Sequence, residues 1–370
     1  MSCSFKRCFA FPVILIGLGL VGCGGDPGAS SAGTDDGNPG QSTTTGANGL
    51  TQPNSSGTTS GTSPTTTAVG AATTVGGGYT LVDLGTLGGT LSQAVSINAT
   101  GAIAGVSALS NDARHGFVYD KSGMVEIGTL GGTISVGYAI NASGAVTGYS
   151  TLPTGSYRAF LYSNGQIADL GAIGGSDYSS GAAINSLGHV VGESAIAGSD
   201  RHEAFVYRDG AMVDLGTLGG EYSSAHGIND SDQIVGYSSL LDGSFHGFLI
   251  SGSGPIIDLG TLGGSYSKAY AINANGLIVG QAYLGGDANA HAFLYGNNGV
   301  MQDIDTLGNA QSEALGINAS GVVVGDFQVP GSDTVGQRAF VFANGQMKDL
   351  NDLIPPATGW VLNGATSIND

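Results

Sequence analysis

The chain has 370 residues, 67 of them glycine, and only 10% of its residues are charged, with 28 acids against 10 bases and a net charge of −18. So few Lys and Arg residues exclude the basic stripe that nucleic-acid binding needs, and the acid excess disfavours docking on anionic lipid. A hydrophobic content of 41% supports a real core, while this much glycine suits tight turns between short strands better than helices.

The N-terminus reads as an export signal over residues 1–22. Lys6 and Arg7 precede an apolar run from Phe9 to Leu20 that is too short for a comfortable membrane span. The run ends in Leu20-Val21-Gly22-Cys23, which resembles the bacterial lipobox. The resemblance implies cleavage before Cys23, acylation of its thiol and new amino group, and, with Gly24 rather than Asp following, sorting to the outer membrane. Several acyl chains give a stable anchor. Cys3 and Cys8 leave with the signal, so Cys23 is the one cysteine expected in the mature chain, with no disulfide and no thiol nucleophile.

Residues 23–78 read as a tether. They are mostly Gly, Ser, Thr, Ala, Asn and Pro, without Lys, Arg, Phe, Tyr or Trp, and cannot bury enough apolar surface to offset chain entropy. A coil of this length and composition spans roughly 40 Å.

Residues 79–370 form a repeat array. Asp83 to Gly89 (Asp-Leu-Gly-Thr-Leu-Gly-Gly) returns with changes at 126–132, 169–175, 214–220 and 258–264, and decays after residue 303. An Ile-Asn pair places Asn98, Asn141, Asn185, Asn229, Asn273, Asn318 and Asn369 at intervals of 43, 44, 44, 44, 45 and 51. A small residue precedes Phe117, Phe160, Phe205, Phe248, Phe293 and Phe340. Each unit divides into four short strands joined mainly by hairpin-length turns, with no sustained helical periodicity. Four strands in about 44 residues predict an all-β protein, a β-propeller of four-stranded blades. The strand count predicts seven blades with the last incomplete at the C-terminus, and six blades as the alternative. Each repeat Asn is expected to close an Asx-turn, ended at Gly101, Gly144, Gly188, Gly276 and Gly321 by positive φ, with Asp232 in the fourth unit. The Phe residues are expected to pack between blades.

The runs His115-Gly-Phe117, His246-Gly-Phe248, His291-Ala-Phe293, Arg158-Ala-Phe160 and Arg338-Ala-Phe340, with the Asp-Leu-Gly and Ile-Asn motifs, resemble the HAF-repeat family of extracellular repeat proteins. The resemblance covers residues 79–370 and implies a secreted repeat protein with no known reaction. Glu203 departs from it, standing where the other units have His or Arg.

No catalytic constellation is visible, and none of the six His sits in a metal-ligand spacing. The repeated Asp83, Asp169, Asp214, Asp258 and Asp349 read as turn residues. No cofactor is expected, with calcium as the one candidate, at Asp112, Asp200, Asp242, Asp287 and Asp333 in the loops between second and third strands. These loops emerge on the same face as the loops carrying Tyr178, Tyr222 and Tyr266, three aromatics suited to stacking on sugar or to a polar protein interface. The expectation is an exported, lipid-anchored binding or adhesion module at the outer membrane or cell surface, with a glycan or protein ligand and no nucleic acid. The alternatives are a propeller hydrolase or lyase acting on an extracellular polysaccharide, and a structural part of an envelope assembly. Scattered departures from the repeat argue against an enzyme.

Overall fold

Hairpin-forming turns govern the local structure. In repeat one the Asn98 side chain accepts hydrogen bonds from the Thr100 and Ala102 amides at 3.0 and 2.9 Å, and Gly101 follows with φ 81°. Asp232 takes the same left-handed conformation in repeat four, φ 54°, which Asp tolerates better than most residues. Such a turn fixes the register of the two strands it joins.

The computed structural model describes residues 14–17, 73–74, 79–199, 201–308, 311–329, 336–354 and 361–370. All of these belong to one of the chain's two compact units, Met1–Gly19 with Thr67–Asp370. Among them the structure is all-β: three four-stranded antiparallel sheets, a 12-stranded sheet in which the repeats from Ser223 onward are joined by short parallel pairings, and two two-stranded sheets. Repeat one spans Gly88–Ile97, Ile103–Leu109, Arg114–Asp120 and Gly123–Gly128. Five more repeats begin at Ser135–Ile140, Ser179–Ile184, Ser223–Ile228, Gly263–Ile272 and Gln311–Ile317, and Gly364–Ile368 is the last strand. No helix among the described residues is long and apolar enough to cross a membrane.

Two short pairings involve residues before position 79. Thr73–Thr74, assigned above to the tether, pairs with Thr80–Leu81 in a short hairpin. Ile14–Gly17, inside the expected signal, runs antiparallel to Gly364–Ile368. Both have alternating or β-branched residues that an adjacent strand edge can recruit.

Every first strand carries a β-bulge at one place. The register against the second strand shifts between Ala94 and Ser96, Gly137 and Ala139, Gly181 and Ala183, Ala225 and Gly227, Ala269 and Ala271, and Ala314 and Gly316. The glycine opposite explains itself: a Cβ on Gly148 would overlap the Val136 carbonyl, and one on Gly192 the Ser180 carbonyl.

The six repeat Phe rings are fully buried. Phe205 packs with Ala145, Ala159 and Leu170 of repeat two, and Phe248 with Val191, Ala204 and Val206 of repeat three, so the cores lie between neighbouring sheets. Polar links reinforce them. The Ala159 amide donates to Ser179 Oγ of the next repeat at 2.9 Å, and the Ala204 amide to Ser223 Oγ at 2.8 Å.

The buried Asn side chains form a circuit. Each Nδ2 donates to the backbone carbonyl of the next repeat's Asn: Asn98 to Asn141, then Asn185, Asn229, Asn273, Asn318 and Asn369, at 2.9–3.2 Å. Asn369 in turn donates to the Asn98 carbonyl at 2.9 Å. Thr366 Oγ1 donates to the Val95 carbonyl at 2.9 Å, so the last strand lies beside repeat one.

Candidate functional site

The bulge singles out three positions per repeat. One precedes the small residue of the first strand, one is the bulged residue itself, and one follows the glycine of the second strand. The first and third are cross-strand partners: Gln93 with Val106, Val136 with Tyr149, Ser180 with Glu193, Ser224 with Tyr237, Lys268 with Gln281, and Glu313 with Asp326. Directly paired residues share one face of a sheet. The bulged residues are Val95, Tyr138, Ala182, His226, Tyr270 and Leu315. A bulge re-aims its side chain, and here the six residues are of five types, with Tyr twice. Around these positions the framework repeats: Ser135, Ser179, Ser223, Ser267 and Ser312 each accept a backbone amide from the preceding repeat.

The variable side chains meet. Tyr138, Tyr149, Tyr157, Tyr178, His202, Tyr222 and Tyr237 follow one another with centroid separations of 5.0 to 6.3 Å. From Tyr222 a branch continues through Phe245 and Tyr266 to Tyr283. From Tyr237 another passes His226 to Tyr270. Tyr178 and Tyr222 are linked through His202, and Tyr266 is reached from Tyr222 through Phe245. Tyr178 and Tyr222 have a role that the sequence reading missed: their hydroxyls donate to Glu193 Oε1 and Oε2 at 2.8 and 2.6 Å. Burial, followed by the Glu193 charge, raises both phenols above their ordinary range. Tyr138, Tyr157 and Tyr266 are exposed residues, at 37, 40 and 38%.

Beyond His226 the residues become ionisable. Burial lowers His226 to about 4, against the opposing pull of Glu193 and with help from Lys268, so the ring is neutral at pH 7. Lys268 Nζ lies 4.5 Å from the Tyr237 ring centroid, a cation–π contact. Glu313 is raised by burial, opposed by Lys268 and a hydrogen bond from Tyr270. Asp326 is raised to about 7 by burial and the Glu313 charge, opposed by a hydrogen bond that Gln337 Nε2 donates to Oδ1 at 2.8 Å. Two carboxyls on paired positions, one buried and one half-buried, resist ionising together.

The remaining sequence candidates lie elsewhere. The His of the His-Gly-Phe and His-Ala-Phe runs face acids of the fourth strand: His115 meets Glu126 at 2.5 Å, His246 meets Asp258 at 2.8 Å and His291 meets Asp303 at 2.8 Å. Arg338 makes the same pair with Asp349. In repeat three Glu203 faces Asp214 instead; burial and that second carboxyl raise it, and Arg201 at 2.6 Å offsets the effect. Asp83, Asp169, Asp214, Asp258 and Asp349 each accept the amide two residues on. Of the calcium candidates, Asp242 and Asp287 are occupied by Ser244 and Ser265, and Asp112 takes a left-handed turn conformation. Asp200, Asp333 and Cys23 lie outside the described residues. Among the described residues no group of three or more His, Cys, Asp and Glu could hold a metal ion.

The departures Glu203, Asp232 and Asn309 lie outside the bulge-associated positions, where the repeats also differ from one another. Aligning the repeats on the small residue and the second-strand glycine was the signal available.

A family described as a protein of unknown function (DUF3466) matches residues 261–370. No curated protein matches the sequence significantly. Among solved structures, TolB from Acinetobacter baumannii is similar at 15% identity and a TM-score of 0.47, over 74% of this chain and 67% of that one. A puromycin-hydrolyzing peptidase of Mycobacterium tuberculosis is similar at 13% identity and a TM-score of 0.47, over 71% and 44%. The acylaminoacyl peptidase of Pyrococcus horikoshii gives 12% identity and a TM-score of 0.44, over 70% and 46%. The chain spans less than half the length of each of these peptidases.

Proposed function

We propose that this protein is an extracytoplasmic binding module: a seven-bladed propeller carried on a Gly/Ser/Thr-rich tether and anchored to the envelope through acylated Cys23. The seven-blade reading is supported by seven Asn side chains whose hydrogen bonds return to their starting residue. One observation carries the functional reading. The framework positions repeat while the bulge-associated positions differ, and the aromatic ones among them join the loop tyrosines on one face. A fold maintained only for its own packing has no reason to diversify those positions together. Exposed tyrosine faces bounded by Ser, Glu and Lys suit a saccharide chain, stacked on rings and hydrogen-bonded at its edges.

A glycan-array screen of the purified protein tests this, with Tyr149→Ala and Tyr157→Ala as controls. Binding that both substitutions weaken supports the reading; binding to no glycan, together with turnover of a polymer, refutes it. The second reading is a glycoside hydrolase, favoured by the Glu313–Asp326 pair, whose perturbed acidities are the kind that acid–base catalysis uses. Release of reducing ends from a polysaccharide, lost in Glu313→Gln, would select it.

A further inference from the structure

Where the last strand lies beside repeat one, the sheet pattern breaks. Repeats one to three are each a single four-stranded sheet, whereas here two separate pairs stand: Gly364–Ile368 with Ile14–Gly17, and Thr80–Leu81 with Thr73–Thr74. Gly364–Ile368 is a first strand by position, since Asn369 behind it belongs to the asparagine circuit. Its residues Ala365 and Ile368 are buried in one cluster with Leu81, Val324, Ala339 and Leu362. Ile14–Gly17 therefore occupies the place that a second strand takes in each repeat.

The register repeats as well. Ile14 pairs with Ile368, as Ile103 pairs with Ile97 and Val323 with Ile317. The pairing then skips Thr366, so Ile16 pairs with Ala365. In the repeats this position is Gly105, Gly148, Gly192, Gly236, Gly280 or Gly325. In all six a Cβ would overlap the carbonyl of the residue before the small one. The edge thus selects glycine at a position where Ile14–Gly17 does not place it. The residue two before each glycine is Ile or Val and is buried. Such an edge calls for a strand with a β-branched apolar residue, one further residue and then glycine.

We propose that Gly364–Ile368 is an acceptor edge for an extended segment of another envelope polypeptide, one with Ile or Val two residues before a glycine, once removal of residues 1–22 takes Ile14–Gly17 away. This goes beyond the saccharide face and rests on the processing proposed with it. A strand edge that has lost its partner is a template for another strand. Main-chain hydrogen bonds along it supply affinity, and the glycine requirement supplies selectivity. A second copy of the chain has no such strand to lend, because the second strand of every repeat is already paired on both sides.

Fluorescence anisotropy tests this on the exported protein, whose mass establishes that residues 1–22 are gone, with a labelled peptide of the sequence His189 to Ala195, His-Val-Val-Gly-Glu-Ser-Ala. The peptide is expected to bind, and the same peptide carrying Gly192→Ile to bind about tenfold or more weakly. The unprocessed full chain, in which Ile14–Gly17 holds the edge, should also bind the first peptide about tenfold or more weakly. Amide exchange along Gly364–Ile368 should slow in the peptide complex. No binding, equal affinity for the two peptides, equal affinity of the processed and unprocessed chains, unchanged exchange, or self-association that the peptide disperses overturns the proposal. Each of these leaves the saccharide face standing, whereas a mass that retains residues 1–22 overturns the anchored-module reading as well as this one.

Discussion

Replacing Asn141 separates the two jobs of a repeat asparagine. Its Oδ1 accepts from the Ser143 amide at 3.1 Å and the Ala145 amide at 2.9 Å, and its Nδ2 donates to the Asn185 carbonyl at 2.9 Å. Asn141→Ala leaves the buried Ala145 amide without an acceptor, which costs about 1–3 kcal/mol, and removes further hydrogen bonds worth about 1 kcal/mol each. The Asn185 carbonyl still accepts from the Gly188 amide at 3.1 Å, so it is not orphaned. The expected loss is about 3 kcal/mol. Asn141→Asp keeps the turn but sets a carboxylate oxygen against the Asn185 carbonyl. This raises the introduced acid's folded pKa above its unfolded value. Its penalty is therefore absent below about pH 4, grows as pH rises, and is complete above the folded pKa. Urea denaturation against wild type at pH 7 and pH 3.5, with unchanged slope, measures both effects. If Asn141→Ala lies within about 0.5 kcal/mol of wild type, or Asn141→Asp loses equally at both pH values, the inter-repeat bond is not stabilising.

Gly192→Ala forces a Cβ onto the Ser180 carbonyl and should cost about 3 kcal/mol in thermal denaturation, against about 1 kcal/mol for Gly171→Ala, where φ is 78° and space is open; equal losses would refute the bulge argument. Asp326 has a native pKa raised to about 7, so wild-type stability falls as pH climbs from the unfolded value of 3.8 through that range. Asp326→Asn should then be more stable than wild type at pH 8, the advantage vanishing below about pH 4; a less stable variant at pH 8 contradicts it. Intact-mass analysis of the exported protein should show residues 1–22 removed and Cys23 acylated, and Cys23→Ser should leave the precursor unprocessed; a mature chain that retains Ile14–Gly17 excludes lipoprotein processing.

Turn chemistry made the scaffold readable. Asn98 and its equivalents, with a positive-φ residue three places on, announce hairpins whatever lies around them. The second task of those asparagines was hidden, because a donor at Nδ2 has no signature until the next repeat is in place. The site was harder for a related reason. Tyr149, Glu193, Tyr237 and Asp326, two phenols and two carboxyls, take one structural position in four repeats, which shows only through pairing and the bulge. The loop residues Tyr178, Tyr222 and Tyr266 stood out through their motif, whereas Lys268 and Glu313 resemble ordinary solvated charges until the register turns them towards Tyr237 and Asp326.

The asparagine circuit also has a temporal meaning. Six of its links join residues 43 to 51 apart, and each can form as soon as two neighbouring repeats exist. The seventh joins positions 271 apart, as does the Thr366–Val95 bond beside it. Closing so long a loop costs about 5 kcal/mol of chain entropy, so this seam forms last and opens first. Amide hydrogens along Gly364–Ile368 and the facing edge of Gly88–Ile97 should exchange before those of the repeats between them, marking the seam as the point from which the circle comes apart.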